Sequence, residues 1–186
     1  MAWQLKAMEV VVAMDQSLGI GMGLGLPWPT LPFDLEHLRQ TTTRVLNPER
    51  RNACLMGWRT WVSIGETPLP NRLNVVLSSN PDRVVPKETL HCLSLEQALE
   101  QLDGQEEIEA IFILGGVGLY AEALKHPRCQ RAWVTRIHAT FEADATIPQD
   151  AFADFEVDPE EPIRHHQTGG IRYSIERWKK KRNEIE

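Results

Sequence analysis

Three polar residues set in apolar sequence could do chemistry in this chain: Asp34, Arg72 and Thr135. Asp34 falls near the start of a short amphipathic helix, with Trp28, Leu31, Phe33, Leu35 and Leu38 around it. Two roles are open to it. An acid in a first helical turn interacts favourably with the helix dipole and needs no ligand. Partial desolvation would instead disfavour its charged form, while the helix start pulls the other way. Such a carboxyl suits holding an amidine-like heterocycle through two hydrogen bonds or moving a proton near neutral pH. Arg72, after Pro-Leu-Pro-Asn and before a strand, is either a surface cation or a planar fork for a ligand carboxylate. Thr135 lies in a buried strand, where its hydroxyl needs a partner: backbone, or Asp34.

Glycines supply the second set of signals. Gly19, Gly21, Gly23 and Gly25 precede a Leu-Pro-Trp-Pro corner. Free backbone followed by fixed φ predicts a mobile lid on a stiff hinge. Gly115-Gly116-Val117-Gly118 joins a buried strand to a helix. Small residues there admit a ligand to the backbone, and the helix N-terminus attracts phosphate; alternatively the turn is only a tight connection. It is not the G-x-G-x-x-G fingerprint. Gly57-Trp58-Arg59-Thr60 repeats the arrangement, and two such junctions in one parallel sheet could hold two phosphates of a dinucleotide.

The positioning elements follow from periodicity. Strands are predicted at 10–14, 53–57, 73–77, 89–93, 111–114 and 131–137, alternating with helices after Asp34, at 58–64, from Ser94 onward and at 119–124. Ser94 with Gln97 fits a capping box. Residues 155–157 and 171–178 are predicted as a final antiparallel pair, joined by a long polar loop through His165-His166. This order argues an α/β fold: a mostly parallel sheet with helices on both faces, in three layers. No linker or repeat interrupts it, so one domain is expected over 1–186, with its core at about 8–178.

Composition narrows the class. The chain has 186 residues, 42% of them hydrophobic, and a formal net charge of −6, which gives no reason to expect nucleic acid as a partner. No apolar run is long enough to span a membrane, and the N-terminus does not read as a signal peptide. The basic run 179–182 reads as a solvated, frayed end. Three widely spaced cysteines read as reduced residues, with neither disulfide nor metal site, consistent with a cytoplasmic location.

Taken together, the motifs VVVAM, GIGMGLGLPWP, Asp34-Leu35, MGWRTWVSIG, PLPNRLNVVLSS, ILGGVGLY, WVTRI and the run from Phe141 to Pro148 resemble dihydrofolate reductase in order and spacing. The resemblance implies an eight-stranded sheet with an antiparallel C-terminal strand, and hydride transfer from NADPH to dihydrofolate. It places Asp34 at the family's acid, binding the pterin and promoting protonation of N5. Thr135 falls at the supporting hydroxyl, with Tyr120 and Trp28 at the active site. Val11, Val12, Leu35, Leu38, Ile64, Leu69 and Leu114 would line the substrate pocket, and Arg72 would hold the glutamate α-carboxylate. Ala13 and Ile20 would meet the nicotinamide under Gly21, Met22, Gly23, Leu24 and Gly25. The rest of the cofactor would fall to Gly57, Trp58, Arg59, Thr60, Leu77, Ser78, Ser79, Gly115, Gly116, Val117, Gly118, Leu119, Tyr120 and Thr146. Gly115-Gly116 falls at the family's cis peptide. The resemblance also implies antifolate ligands and a monomer. Trp58, Ser79 and Gly118 depart from it, standing where members carry cations around the adenosine 2′-phosphate. A weakened preference for NADPH over NADH is expected, and Gly23 and Gly25 predict an unusually mobile lid.

Overall fold

Apolar runs bounded by turn residues set the element order in the computed structural model, which describes residues 5–182. The terminal four residues at each end, on which the N-terminal reading and the 1–186 bounds partly rest, lie outside the described residues. In chain order the elements are β1 (Met8–Met14), β2 (Gly19–Gly21), α1 (Pro32–Thr43), β3 (Arg51–Gly57), α2 (Trp58–Ser63), β4 (Arg72–Leu77), β5 (Thr89–Cys92), α3 (Leu95–Asp103), β6 (Ile108–Ile113), α4 (Val117–Lys125), β7 (Cys129–Ile137), β8 (Ala145–Thr146), β9 (Phe155–Val157), β10 (Arg164–Thr168) and β11 (Ile171–Lys180).

The main sheet runs β10-β11-β7-β1-β6-β3-β4-β5, an eight-strand path, and short β9 adds to β11. From β7 to β5 every neighbouring pair is parallel, whereas β11 is antiparallel to β7, β9 and β10. Period-two alternation then assigns the faces. Val10, Val12, Leu55, Val75 and Ile113 join Leu95, Leu99 and Leu102 of α3 and Leu119 and Leu124 of α4 in one core. Val11, Cys54 and Phe112 point the other way, where Leu38 of α1 packs, and Met56 and Val76 meet Trp61 of α2. Ser94 caps α3 by accepting from the Gln97 N–H at 3.2 Å, and the Gln97 side chain returns to the Leu93 N–H.

Two sequence expectations are corrected. The polar stretch around His165-His166 is a strand, not a loop: β10 forms a hairpin with β11 across the two-residue Gly169-Gly170 turn. As an edge strand it carries no apolar alternation to announce it. The basic run is not a frayed end, because Lys179 and Lys180 complete β11 against β9, and the Lys181 Nζ donates to the Ala153 carbonyl at 2.8 Å. The lid root adds a two-stranded sheet, β2 with β8, absent from the sequence reading. Cys54, Cys92 and Cys129 are all buried and free.

Candidate active site

The parallel strands end along one side of the sheet, which is where ligands of open α/β folds bind. A cleft of about 760 Å³ lies there, walled by α1, α2, the start of α4 and the lid.

Asp34 is placed by the way α1 starts. Pro32 suits the first helical turn because its missing N–H would be unused there, and this sets Asp34 against the sheet. Thr135 of β7, in register with Ala13 of β1, donates a 2.6 Å hydrogen bond to Oδ1 of Asp34. Burial pushes the Asp34 carboxyl above the usual carboxylate range, and the Thr135 bond pulls part of the way back. No group among the described residues donates to Oδ2. The buried Tyr120 hydroxyl lies 2.8 Å from the carbonyls of both Val11 and Leu114; burial raises its pKa, so it stays protonated and clamps β1 to the end of β6. Trp28 is buried with its Nε1 facing no acceptor among the described residues, packed edge-on against Phe141.

Leu35, Leu38, Ile64, Leu69 and Leu114 form an apolar wall around Asp34. Leu69 is fixed by Asn74, whose side chain bonds both its N–H and its carbonyl. Arg72 is not a surface cation. It is 8% exposed, its Nε donates to the Pro70 carbonyl and its Nη1 to Thr42 Oγ1, each at 2.9 Å. No carboxylate among the described residues reaches it. Val11 packs behind this wall. Val12 does not belong to it: strand alternation turns its side chain into the core under α3 and α4.

The other half of the cleft is backbone-rich. Gly115 has φ 124°, and a Cβ there would come within 3.2 Å of the Tyr120 ring and 3.3 Å of Thr60 Oγ1. The Gly115-Gly116 peptide is cis, and the Gly57 N–H donates to the Gly115 carbonyl at 2.7 Å. Helix α4 starts from Gly116 without a side-chain cap, so its first N–H groups face the cleft beside Val117, Gly118 and Leu119. This uncapped helix end and open glycine cradle fit a phosphate-bearing dinucleotide. Ala13, Ile20, Gly57, Trp58, Arg59 and Thr60 complete this half.

The lid is stitched. Met22 and Gly25 exchange backbone hydrogen bonds, and Gly23 between them has φ 61°, so glycine here serves a tight turn. The Gly23 N–H donates to Asp144 Oδ2 at 2.9 Å, and Arg59 Nη2 reaches the Gly23 carbonyl at 3.0 Å. Gly21, Gly23, Leu24 and Gly25 face the cleft, while Met22 turns away and Thr146 pairs with Gly19. Leu77, Ser78 and Ser79 continue from β4 beyond the cleft lining.

Several contributors escaped the sequence reading. Leu26, Thr30, Met56, Ser63 and Ala145 also line the cleft, beside Leu31 from the apolar setting of Asp34. Met56 had a signal, since period two puts it on the same face of β3 as Cys54, where it meets Trp61 of α2. Asp15, 3% exposed, anchors the lid root by accepting from the N–H groups of Ser17, Gly19 and Phe141. His37, one turn after Asp34, is buried between Trp133 and Arg164.

Comparison with known proteins follows the same outline. The dihydrofolate reductase family pattern matches residues 7–180. A dihydrofolate reductase of Drosophila melanogaster is 36% identical over 170 residues, covering 89% of this chain and 93% of that protein. One from Bos taurus is 34% identical over 186 residues, covering 95% and 98%. The solved structure of the Enterococcus faecalis dihydrofolate reductase complexed with NADP(H) and RAB-propyl superposes with a TM-score of 0.79 at 27% identity, covering 95% of this chain and 97% of that one.

Proposed function

The chain belongs to the dihydrofolate reductase family, and from that premise we infer how its own residues carry the reaction. It catalyses the NADPH-dependent reduction of 7,8-dihydrofolate to 5,6,7,8-tetrahydrofolate. NADPH supplies the hydride when bound. As C6 of the pterin takes that hydride, N5 must gain a proton. Asp34 is the one carboxylate lining the cleft among the described residues. Burial raises its pKa, which makes it a better proton carrier than an exposed carboxylate and suits delivery to N5 through a water. In its ionised form the same carboxyl accepts from the pterin 2-amino group and N3–H, with Thr135 fixing its orientation. Leu35, Leu38, Ile64 and Leu69 hold the ring and exclude water, and Arg72 pairs with the carboxylate of the substrate's tail. The glycine cradle and the start of α4 take the cofactor phosphates.

One observation carries this assignment: a half-buried, hydroxyl-supported acid set in an apolar wall, in one cleft with an open phosphate cradle. The same reading includes a single-domain, cytoplasmic monomer with small-molecule ligands, antifolate inhibitors among them. One main sheet built from strands spanning residues 8–180 supports a single domain, and no described helix is long and apolar enough to cross a membrane. The test is NADPH oxidation with dihydrofolate by the parent and by Asp34→Asn. No turnover by the parent overturns the reaction, and full activity in the variant overturns the role of Asp34.

A further inference from the structure

Trp58, Ser79 and Gly118 leave the far end of the cofactor site short of cations in sequence. The fold brings one back from another segment. Gly57 and Leu77 are register partners at the ends of adjacent parallel strands, so Trp58 and Ser78 leave the sheet side by side. The chain then turns tightly. The Asn80 N–H donates to Ser78 Oγ at 3.2 Å, and Asn80 Oδ1 accepts from the Asp82 N–H at 2.9 Å. This turn carries the Arg83 guanidinium over the Trp58 indole, 4.3 Å from the ring centroid, and Val85 packs against the cluster that holds Trp58. Trp58 itself lines the cleft. No carboxylate among the described residues, its chain neighbour Asp82 included, lies within ion-pair distance of Arg83, and its side chain makes no hydrogen bond there. A guanidinium stacked on an aromatic face keeps its edge donors free for an anion and loses less freedom on binding one. Ser78 Oγ accepts from Asn80, which leaves its O–H free to donate.

We propose that Arg83, held in place by Trp58, recognises the 2′-phosphate of NADPH together with the Ser78 hydroxyl, and thereby sets the preference for NADPH over NADH. The proposal rests on the dihydrofolate reductase reading of the cleft. Arg83 is the phosphate-contacting residue and Trp58 its positioning residue. The missing cations are thus replaced by one from outside those positions, which the turn at 80–83 brings over Trp58.

Isothermal titration calorimetry of the whole protein with NADPH, NADH, 2′,5′-ADP and 5′-ADP tests this without requiring turnover. Arg83→Ala is expected to weaken NADPH and 2′,5′-ADP by roughly tenfold to a hundredfold, the worth of a charged hydrogen bond. NADH and 5′-ADP should stay within about twofold, which the lost-charge argument requires because neither carries the phosphate. Arg83→Lys should restore part of the loss. Trp58→Leu should reduce NADPH discrimination in the same direction, since the cation is kept and its platform is removed. The parent's advantage for NADPH should also shrink as salt rises, because Arg83 is exposed. Unchanged NADPH affinity in Arg83→Ala, or equal losses for NADPH and NADH, overturns the proposal while leaving the family reading intact. A parent that binds neither nucleotide and does not turn over dihydrofolate overturns both.

Discussion

Thr135 and Asp34, 101 residues apart, meet in a 2.6 Å hydrogen bond at the floor of the cleft. Burial raises the acid's pKa and this bond lowers it. Thr135→Val should therefore raise that pKa further and move the alkaline fall of kcat/KM to higher pH. Asp34→Asn should lower kcat by roughly a hundredfold to ten-thousandfold. It should also raise Tm near neutral pH. A carboxyl whose folded pKa is raised contributes stability below its unfolded pKa, and that contribution is lost as pH rises through the folded value. Thermal unfolding across pH checks the sign: the variant's advantage must disappear in acid.

His37 should act in the opposite sense. Burial, then the nearby Arg164 and His166 charges, depress its pKa from 6.5 to about 4. Because Arg164 can only donate, His37 Nδ1 accepts and the ring is held neutral. Its contribution to stability is complete above pH 6.5 and is lost as pH falls toward 4. His37→Gln keeps an acceptor for Arg164 but cannot titrate. Its Tm should fall less steeply than the parent's between those two pH values.

Arg72 is a buried guanidinium with no carboxylate partner among the described residues. Arg72→Met should raise KM for dihydrofolate roughly tenfold to a hundredfold, with little change in NADPH affinity. Removing an uncompensated buried charge should leave Tm equal or higher. A variant that loses stability and keeps its KM would make Arg72 a structural residue only.

The lid is tied to Asp144 through the Gly23 N–H at 2.9 Å. Asp144→Ala should weaken that tie by about 1 kcal/mol, which is roughly a fivefold faster amide exchange at Gly23. Arg59 remains bonded to the Gly23 carbonyl, so Arg59→Ala combined with Asp144→Ala should accelerate it further. Hydrogen exchange followed by NMR separates the two contributions.

A side chain at Gly115 is strained, because a Cβ would press on the Tyr120 ring and Thr60 in a backbone region that L-residues rarely adopt. Gly115→Ala should cost about 1–3 kcal/mol of stability and weaken NADPH binding. Gly118, with open space where its Cβ would sit, should accept alanine with little loss of stability, as equilibrium unfolding would show.

What the sequence determined by itself was local. Apolar runs and their bounding turn residues marked 10–14 as a buried strand, but they did not assign its faces: Val11 and Val12 were both read toward the substrate, and only the packed sheet turns Val12 under α3 and α4 and Val11 toward α1. The apolar setting of Asp34, the hydroxyl of Thr135 and the glycines at 115–118 were legible because residue type and neighbours alone imply desolvation or close approach. Strand β10 was not legible, since an edge strand beside a hairpin partner needs no apolar period. The burial of Arg72 and His37 was not legible either, because it depends on how α1 lies across the sheet. Asp15 at the lid root, Asp144 on Gly23 and Arg83 over Trp58 became visible only in three dimensions. Hydrophobic periodicity is carried by neighbours along the chain. A carboxylate's acceptor geometry or a guanidinium's stacking partner is carried by residues that only the packed sheet and its turns bring within a few ångströms.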